Sequence, residues 1–392
     1  MPEPGTRLRV ALDATPLLGT RTGVGVFTEH ALEALQQRDD LVVSAFAVSW
    51  RRRRGIREHL PAGVRAVETP MPARPLHWSW ARRPFPPVEW FVGRQDVVHG
   101  TNYVVPPTSG AARVMTVHDL TSVRFPELCD DYTKRFPALV RAALAQGGWV
   151  HTPSRFVADE VVELLGADPT RVRPVHHGVP PLDARPVSEQ AEPLVAGPYV
   201  LALGTVEPRK DLPTLVRAFD QVAGEVPDVR LVVAGADGWG ADALRQALEA
   251  STHRDRVVRL GYVSVAQRSV LMGNALVYAY PSLYEGFGLP ALEAMSVGVP
   301  VLTTRAGALP EVVGDAAVLV EPGDVDAMAA ALGRLLADEA LRRDKVEAGR
   351  QQVQQYSWSA AASGLAGLYA DAAEERRAGA DRRPPGGRGT RS

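Results

Sequence analysis

Two carboxylates, Glu285 and Glu293, flank the run Gly286-Phe287-Gly288-Leu289-Pro290. Glycines at 286 and 288 open main-chain geometries closed to other residues and let a ligand approach the backbone, and Pro290 suits the first turn of a helix. The free N–H groups and positive dipole end of such a helix suit a phosphate. Two acids would repel that phosphate, so they read as acceptors for sugar hydroxyls, and the loop points to a phosphorylated sugar or a nucleotide sugar. For Glu293 there is a plainer reading as well, because an acid in a first helical turn gains about 0.3–1 kcal/mol from the dipole.

The run Gly204-Thr205-Val206-Glu207-Pro208-Arg209-Lys210 follows an apolar strand and precedes a helix near Leu212. Arg209 and Lys210 would give charge-assisted bonds to a diphosphate, or they form a solvated pair in a surface turn. Main-chain groups of Gly261-Tyr262-Val263, at another strand end, are placed to meet the edge of a base. His118 ends the strand through Val117 and could bond a sugar hydroxyl or act as acid or base, although a satisfied structural histidine is the commoner case. His99, His151, His176 and His177 also sit at strand ends, without the spacing of a metal site. Asp324-Val325-Asp326 opens an alanine-rich helix, where capping accounts for it, so no metal ligands are expected there. The segment His77–Phe85 with Trp90, Phe91 and Arg51–Arg54 mixes aromatics with positive charge. It could rest on an anionic membrane and reach a lipid-linked acceptor; the plainer reading is a surface-packed loop and helix.

The elements that must carry these groups alternate. Apolar strands are expected at Leu8–Asp13, Leu41–Val48, Asp96–His99, Val114–His118, Trp149–Thr152 and Val172–His176, with a glycine turn through Gly19, Gly23 and Gly25 leading to a helix from Val26. A second series opens at Tyr199–Gly204 and continues near Leu231–Ala234, Val257–Leu260, Leu276–Ala279, Val301–Thr303 and Ala317–Val320. Alternating strands and helices predict an α/β fold of two doubly wound, Rossmann-like domains facing a central cleft. The expected division is 1–180 for the first domain, with a returning helix at 358–374, and 198–357 for the second. The Pro- and Ala-rich stretch between them reads as a linker, and 377–392 as a disordered tail. Ligands of such sheets bind at the carboxyl ends of the strands.

Composition narrows the function. Lys plus Arg number 44 against 45 Asp plus Glu, so no global field draws the chain to nucleic acid. One cysteine, Cys129, excludes an internal disulfide framework. The sequence through Arg9 has no apolar leader, and no stretch approaches the ~18 apolar residues of a membrane span, so a cytoplasmic location, at most at the inner face of a membrane, is expected.

With these residues in place, the chain resembles the retaining glycosyltransferases of family 4, which have the GT-B fold, and its pattern is most similar to mannosyltransferase members. The resemblance spans about residues 7 to 373 and rests on Glu285-Gly-Phe-Gly-Leu-Pro-Ala-Leu-Glu293, which looks like the family's E-x7-E motif. Supporting it are Thr205–Asp211, Thr116–Asp119, His99–Tyr103, Thr152–Arg155 and Thr22–Gly25. It implies that Glu285 and the backbone of Gly286, Phe287, Gly288 and Leu289 hold the donor sugar and diphosphate, and that Glu293 binds the ribose. Lys210 and Arg209 would balance the diphosphate, Gly25 would approach it from the first domain, and His118 would touch the sugar near the reacting carbon. It further implies metal-independent transfer of a hexose, mannose, from GDP-mannose with retention and no bound cofactor, to a sugar, lipid-linked or small-molecule acceptor. Thr205 stands where many members carry arginine, and Ala236 where a polar or basic residue is common. Two other readings keep part of this pattern: a GT-B-like nucleotide-sugar epimerase, and a nucleotide- or carbohydrate-binding protein without transfer.

Overall fold

The computed structural model describes residues 7–19, 23–51, 55–80, 82–131, 133–182 and 194–381, apart from the side chains of 380 and 381. Strands form where apolar residues run without interruption, because a parallel sheet covered by helices on both faces buries both sides of each strand. The first sheet comprises β1 (Leu8–Asp13), β2 (Leu41–Phe46), β3 (Arg65–Val67), β4 (Val97–Gly100), β5 (Ala112–Thr116), β6 (Trp149–Thr152) and β7 (Val172–Pro174). Its order is β3-β2-β1-β4-β5-β6-β7, all parallel. The second comprises β8 (Tyr199–Leu203), β9 (Arg230–Ala234), β10 (Val257–Gly261), β11 (Val277–Tyr280), β12 (Val301–Thr304) and β13 (Ala317–Val320), in the parallel order β10-β9-β8-β11-β12-β13.

Each sheet reverses its winding once, between β1 and β4 in the first and between β8 and β11 in the second. At such a switch point the loops leaving adjacent strands part to either side and open a crevice at the strands' carboxyl ends. The loop after β1 leads to the first glycine turn, and the loops after β8 and β11 carry Arg209, Lys210 and Glu285; His118 lies beyond β5 and Gly261 at the end of β10.

Apolar clusters cover both faces of each sheet. Leu365, Leu368 and Tyr369 of the helix Trp358–Asp381 belong to the same cluster as Val10, Leu12 and Phe27, so the end of the chain returns onto the first domain. The two crossings lie side by side. Val179 N–H donates to the Tyr356 carbonyl at 3.1 Å, and a Cβ on Gly178 would lie 2.4 Å from the Trp358 backbone nitrogen.

The structure corrects three expectations. The returning helix runs on to Asp381, so 377–381 is helix instead of tail, while 382–392 lies outside the described residues. The first glycine turn is shorter than expected, because the helix already begins at Gly23 and takes Gly25 into its first turn. Strand β3 was not anticipated. It has only three residues, of which Val67 alone is fully buried, and so offers no apolar run.

Candidate active site

The loop after β11 is shaped by close backbone approaches. A Cβ on Gly286 would lie 1.9 Å from the His118 carbonyl oxygen, so only glycine lets this loop touch the opposite domain. Gly288, at φ +98°, turns the chain into the helix Leu289–Ser296, with Pro290 in its first turn. The Glu285 carbonyl accepts from Ala308 N–H at 2.8 Å, which fixes the loop against the segment after β12.

The loop after β8 lies beside it. Leu283 N–H donates to the Arg209 carbonyl at 2.8 Å, and Asp211 takes a left-handed φ of +43° to turn into the helix Leu212–Val222. Strained backbone of this kind tends to collect where function over-determines the geometry. The two loops bring three charges together: the Glu285 carboxylate lies 2.7 Å from Lys210 Nζ and 2.9 Å from an Arg209 guanidinium nitrogen. Lys210 also donates to the Tyr280 hydroxyl at 2.6 Å.

All three groups are largely buried, and their ionisation follows from the pairing. Burial pushes the Glu285 carboxyl up, but Arg209 and Lys210 pull it down further, to about 2. Burial lowers Lys210, against the pull of Glu285, while Arg209 is raised because Glu285 and Asp119 outweigh its burial. The acid is therefore a fixed anion that orients two cations.

His118 faces this loop from the first domain. Its Nε2 lies 2.8 Å from the Thr101 carbonyl, which can only accept, so Nε2 carries the proton and Nδ1 keeps a lone pair. Burial holds the ring below its ordinary pKa and hence neutral. Asp13, at the end of β1, is pushed up to about 6 by burial and bonds the hydroxyl and N–H of Thr15.

Glu293 stands apart from Glu285. It lies in the second turn of its helix, since the helix starts at Leu289, so the first-turn dipole reading does not apply. The carboxylate is 1% exposed and paired with Arg268 on the helix Val265–Gly273. Burial raises it, and Arg268 only partly offsets that. Arg268 was not singled out in the sequence, where 25 residues separate it from Glu293.

Of the remaining candidates, Thr205 is exposed in the β8 loop, and Phe287 is buried with its ring 5.1 Å from His177. Gly261 ends β10 at φ +64° and its carbonyl is taken by Gly235 N–H at 2.7 Å; Tyr262 is exposed, and Val263 packs on the second-domain core. Asp324 caps its helix through Ala327 N–H. Glu311, also missed, bridges the domains: it accepts from Arg155 and Phe156 N–H at 2.9 and 3.0 Å and meets His176 at 2.8 Å. Among the described residues no helix is long and apolar enough to cross a membrane.

Known proteins match both halves. The model described as Glycosyltransferase Family 4 matches residues 21–181, and that described as Glycosyl transferases group 1 matches 187–352. The chain is 32% identical over 293 residues to O-antigen chain mannosyltransferase B of Escherichia coli, covering 72% of this chain and 74% of that protein. It is 46% identical over 111 residues to the MMP alpha-(1->4)-mannosyltransferase of Mycolicibacterium hassiacum, 27% of each chain. Sucrose-phosphate synthase from Thermosynechococcus elongatus shares the fold, with a TM-score of 0.70 at 23% identity over 93% of this chain and 99% of that one. A structure of Anabaena HepE in complex with UDP-glucose gives a TM-score of 0.66 at 18% identity, covering 95% and 100%. Two Rossmann-like parallel sheets, an intact pair of glutamates and these matches together place the chain in the family 4 glycosyltransferases, with the GT-B fold.

Proposed function

We propose that the protein transfers mannose from GDP-mannose to a hydroxyl-bearing acceptor, with retention at the anomeric carbon and without a metal ion. The observation that carries this reading is the Glu285, Lys210 and Arg209 cluster at the head of the helix Leu289–Ser296, in contact with the His118 backbone of the facing domain. The choice of mannose is supported by the mannosyltransferases among the relatives.

In the proposed reaction the bond between the anomeric carbon and the diphosphate oxygen breaks, and a bond from the acceptor oxygen forms on the same face. The acceptor's proton passes to the departing phosphate. Lys210, Arg209 and the amides of Gly286 to Leu289 stabilise the charge on that phosphate, which does the work that a divalent cation does elsewhere. His118 Nδ1 accepts from a sugar hydroxyl, and Glu293 with Arg268 meets the ribose. A covalent route through Glu285 is disfavoured, because a carboxylate held at about 2 by two cations is a weak nucleophile.

The test is nucleotide release and product formation from GDP-mannose in Glu285→Ala and Lys210→Ala variants, with folding checked by circular dichroism. Each should lose at least about 100-fold, as removal of a transition-state charge partner does. Full activity in both would refute the reading. An inverted anomer in the product, by NMR, would refute retention, and a larger thermal shift with another nucleotide sugar would refute GDP-mannose.

A further inference from the structure

Away from the cleft, a cavity of about 700 Å³ lies where the returning helix meets the amino ends of β5 and β6, with Arg113, Arg171, Glu375 and Arg376 in its wall. Its charges do not balance. Glu375 is engaged by Arg171 and by the Trp149 indole N–H at 2.8 Å. Among the described residues Arg113 and Arg376 have neutral partners only: Arg113 donates to the Gln146 side chain at 3.0 Å, and Arg376 to the Ser109 carbonyl at 3.0 Å. These bonds hold both guanidiniums in place without compensating their charge. Burial and the neighbouring Arg376 both press Arg113 below its ordinary pKa, the mark of a cation lacking an anion. The backbone cannot supply a rival anion site, because the N–H groups of Ser109, Gly110 and Ala111 already bond the Glu89 carboxylate.

The rim of this cavity carries a second, independent feature. Pro84 lines the wall, and Phe85 beside it begins an aromatic ridge. Trp78, Phe85 and Trp90 are 62%, 52% and 67% exposed. The rings of Phe85 and Trp90 meet edge to face at 5.0 Å, and the Arg82 guanidinium lies 4.2 Å over Trp78. Among the described residues no carboxylate pairs with Arg82 or Arg83. Exposed indoles beside unpaired guanidiniums suit the boundary between water and lipid, where an amphipathic ring has a place for each of its ends.

We propose that this face of the first domain docks on an anionic membrane, with Trp78, Phe85 and Trp90 entering the interface and the Arg113/Arg376 cavity receiving the phosphate of a lipid headgroup. Guanidinium forks match phosphate oxygens bidentately, which a pair of fixed arginines exploits better than mobile lysines. The inference is independent of the donor and of the reaction.

Co-sedimentation of the full chain with vesicles tests it. Wild type should bind vesicles of phosphatidylglycerol and phosphatidylcholine and not phosphatidylcholine alone. The pair Arg113→Gln, Arg376→Gln should weaken that binding about 30-fold, the worth of two charges near an anionic surface. Trp78→Ser with Trp90→Ser, at sites too exposed to disturb folding, should abolish it while donor turnover stays unchanged. Unaltered vesicle binding in the arginine pair would overturn the cavity's role. Binding of inorganic phosphate that depends on both arginines, with no sedimentation on vesicles, would overturn the lipid as its source.

Discussion

Mild acid should unfold the first domain while sparing the second. His99, His151 and His177 are almost wholly buried around Phe27, whose ring lies 6.5, 5.4 and 4.4 Å from theirs. A hydrogen-bonded chain runs from the Tyr369 hydroxyl through His99, Thr116 and His151 to the Val175 carbonyl. Burial drives His99 and His177 well below their ordinary pKa, and His151 to about 3. The unfolded chain takes up these protons near pH 6.5 and the folded one does not, so stability is full above 6.5 and falls as pH drops towards the folded values.

From pH 7.5 to 5 each group costs about 2 kcal/mol, and the three about 6 kcal/mol. Asp13 acts the other way: its folded pKa near 6 lies above the unfolded value, so it contributes more stability as pH falls through 6, about 1.4 kcal/mol by pH 5. His118, also lowered by burial beside Phe27, adds to the loss, whereas Glu293, raised by burial, belongs to the second domain. The net loss, about 5 kcal/mol, is a large share of a domain's stability. Urea titrations followed by tryptophan fluorescence report on the first domain, since Trp239 is the one tryptophan in the second. The midpoint should fall steadily between pH 6.5 and 5, with net uptake of about two protons on unfolding. His151→Gln should reduce that uptake by about one. A stability flat over this range, or an uptake unchanged by the substitution, would refute the reasoning.

Three further substitutions test the site's architecture. Gly286→Ala places a Cβ 1.9 Å from the His118 carbonyl, so the loops must part by more than 1 Å, and transfer should fall on the order of 100-fold with the melting temperature little changed. Glu311→Gln removes a charged acceptor shared by two amides, and hydrogen exchange at Arg155 and Phe156 should accelerate about 10- to 100-fold, for a bond of roughly 1.5–3 kcal/mol. Arg268→Gln leaves the Glu293 carboxylate buried and uncompensated, which should destabilise the second domain by about 3 kcal/mol. Adding Glu293→Gln should restore most of that loss in urea titrations, and a double variant as unstable as the single one would contradict the pairing.

The elements and the site were legible to different degrees, for physical reasons. Strands such as β8 and β11 are buried at every residue, so their apolar runs and bounding glycines announce them. Gly286 and Gly288 could be read as ligand-loop residues because glycine's conformational range is a property of the residue itself. Pairings set by packing across sequence were not readable. Nothing near Arg268 or Glu311 in the chain marks them, because the helix Val265–Gly273 and the segment after β12 acquire their neighbours only when the sheet is wound. The histidines were each seen at a strand end, but their convergence on Phe27 depends on the order in which β4, β5 and β6 pair.

The same distinction revises how the charged loop is understood. In the sequence, Arg209 and Lys210 were countercharge for a diphosphate and Glu285 a partner for sugar hydroxyls, as though the acid and the bases had separate tasks. The geometry couples them: one carboxylate holds a guanidinium and an ammonium at 2.9 and 2.7 Å, and Tyr280 closes the arrangement beneath Lys210. Donors fixed in place before charge develops need no reorganisation when it does, and this is where most electrostatic stabilisation of a leaving group comes from. In the proposed reaction Glu285 would thus act on the diphosphate as much as on the sugar, by setting the positions of the groups that would receive it. Replacing it with glutamine keeps an acceptor for a hydroxyl but loosens both cations. If positioning is its larger role, Glu285→Gln should lower kcat nearly as far as Glu285→Ala does, while a role confined to the sugar hydroxyl would leave the glutamine variant close to wild type.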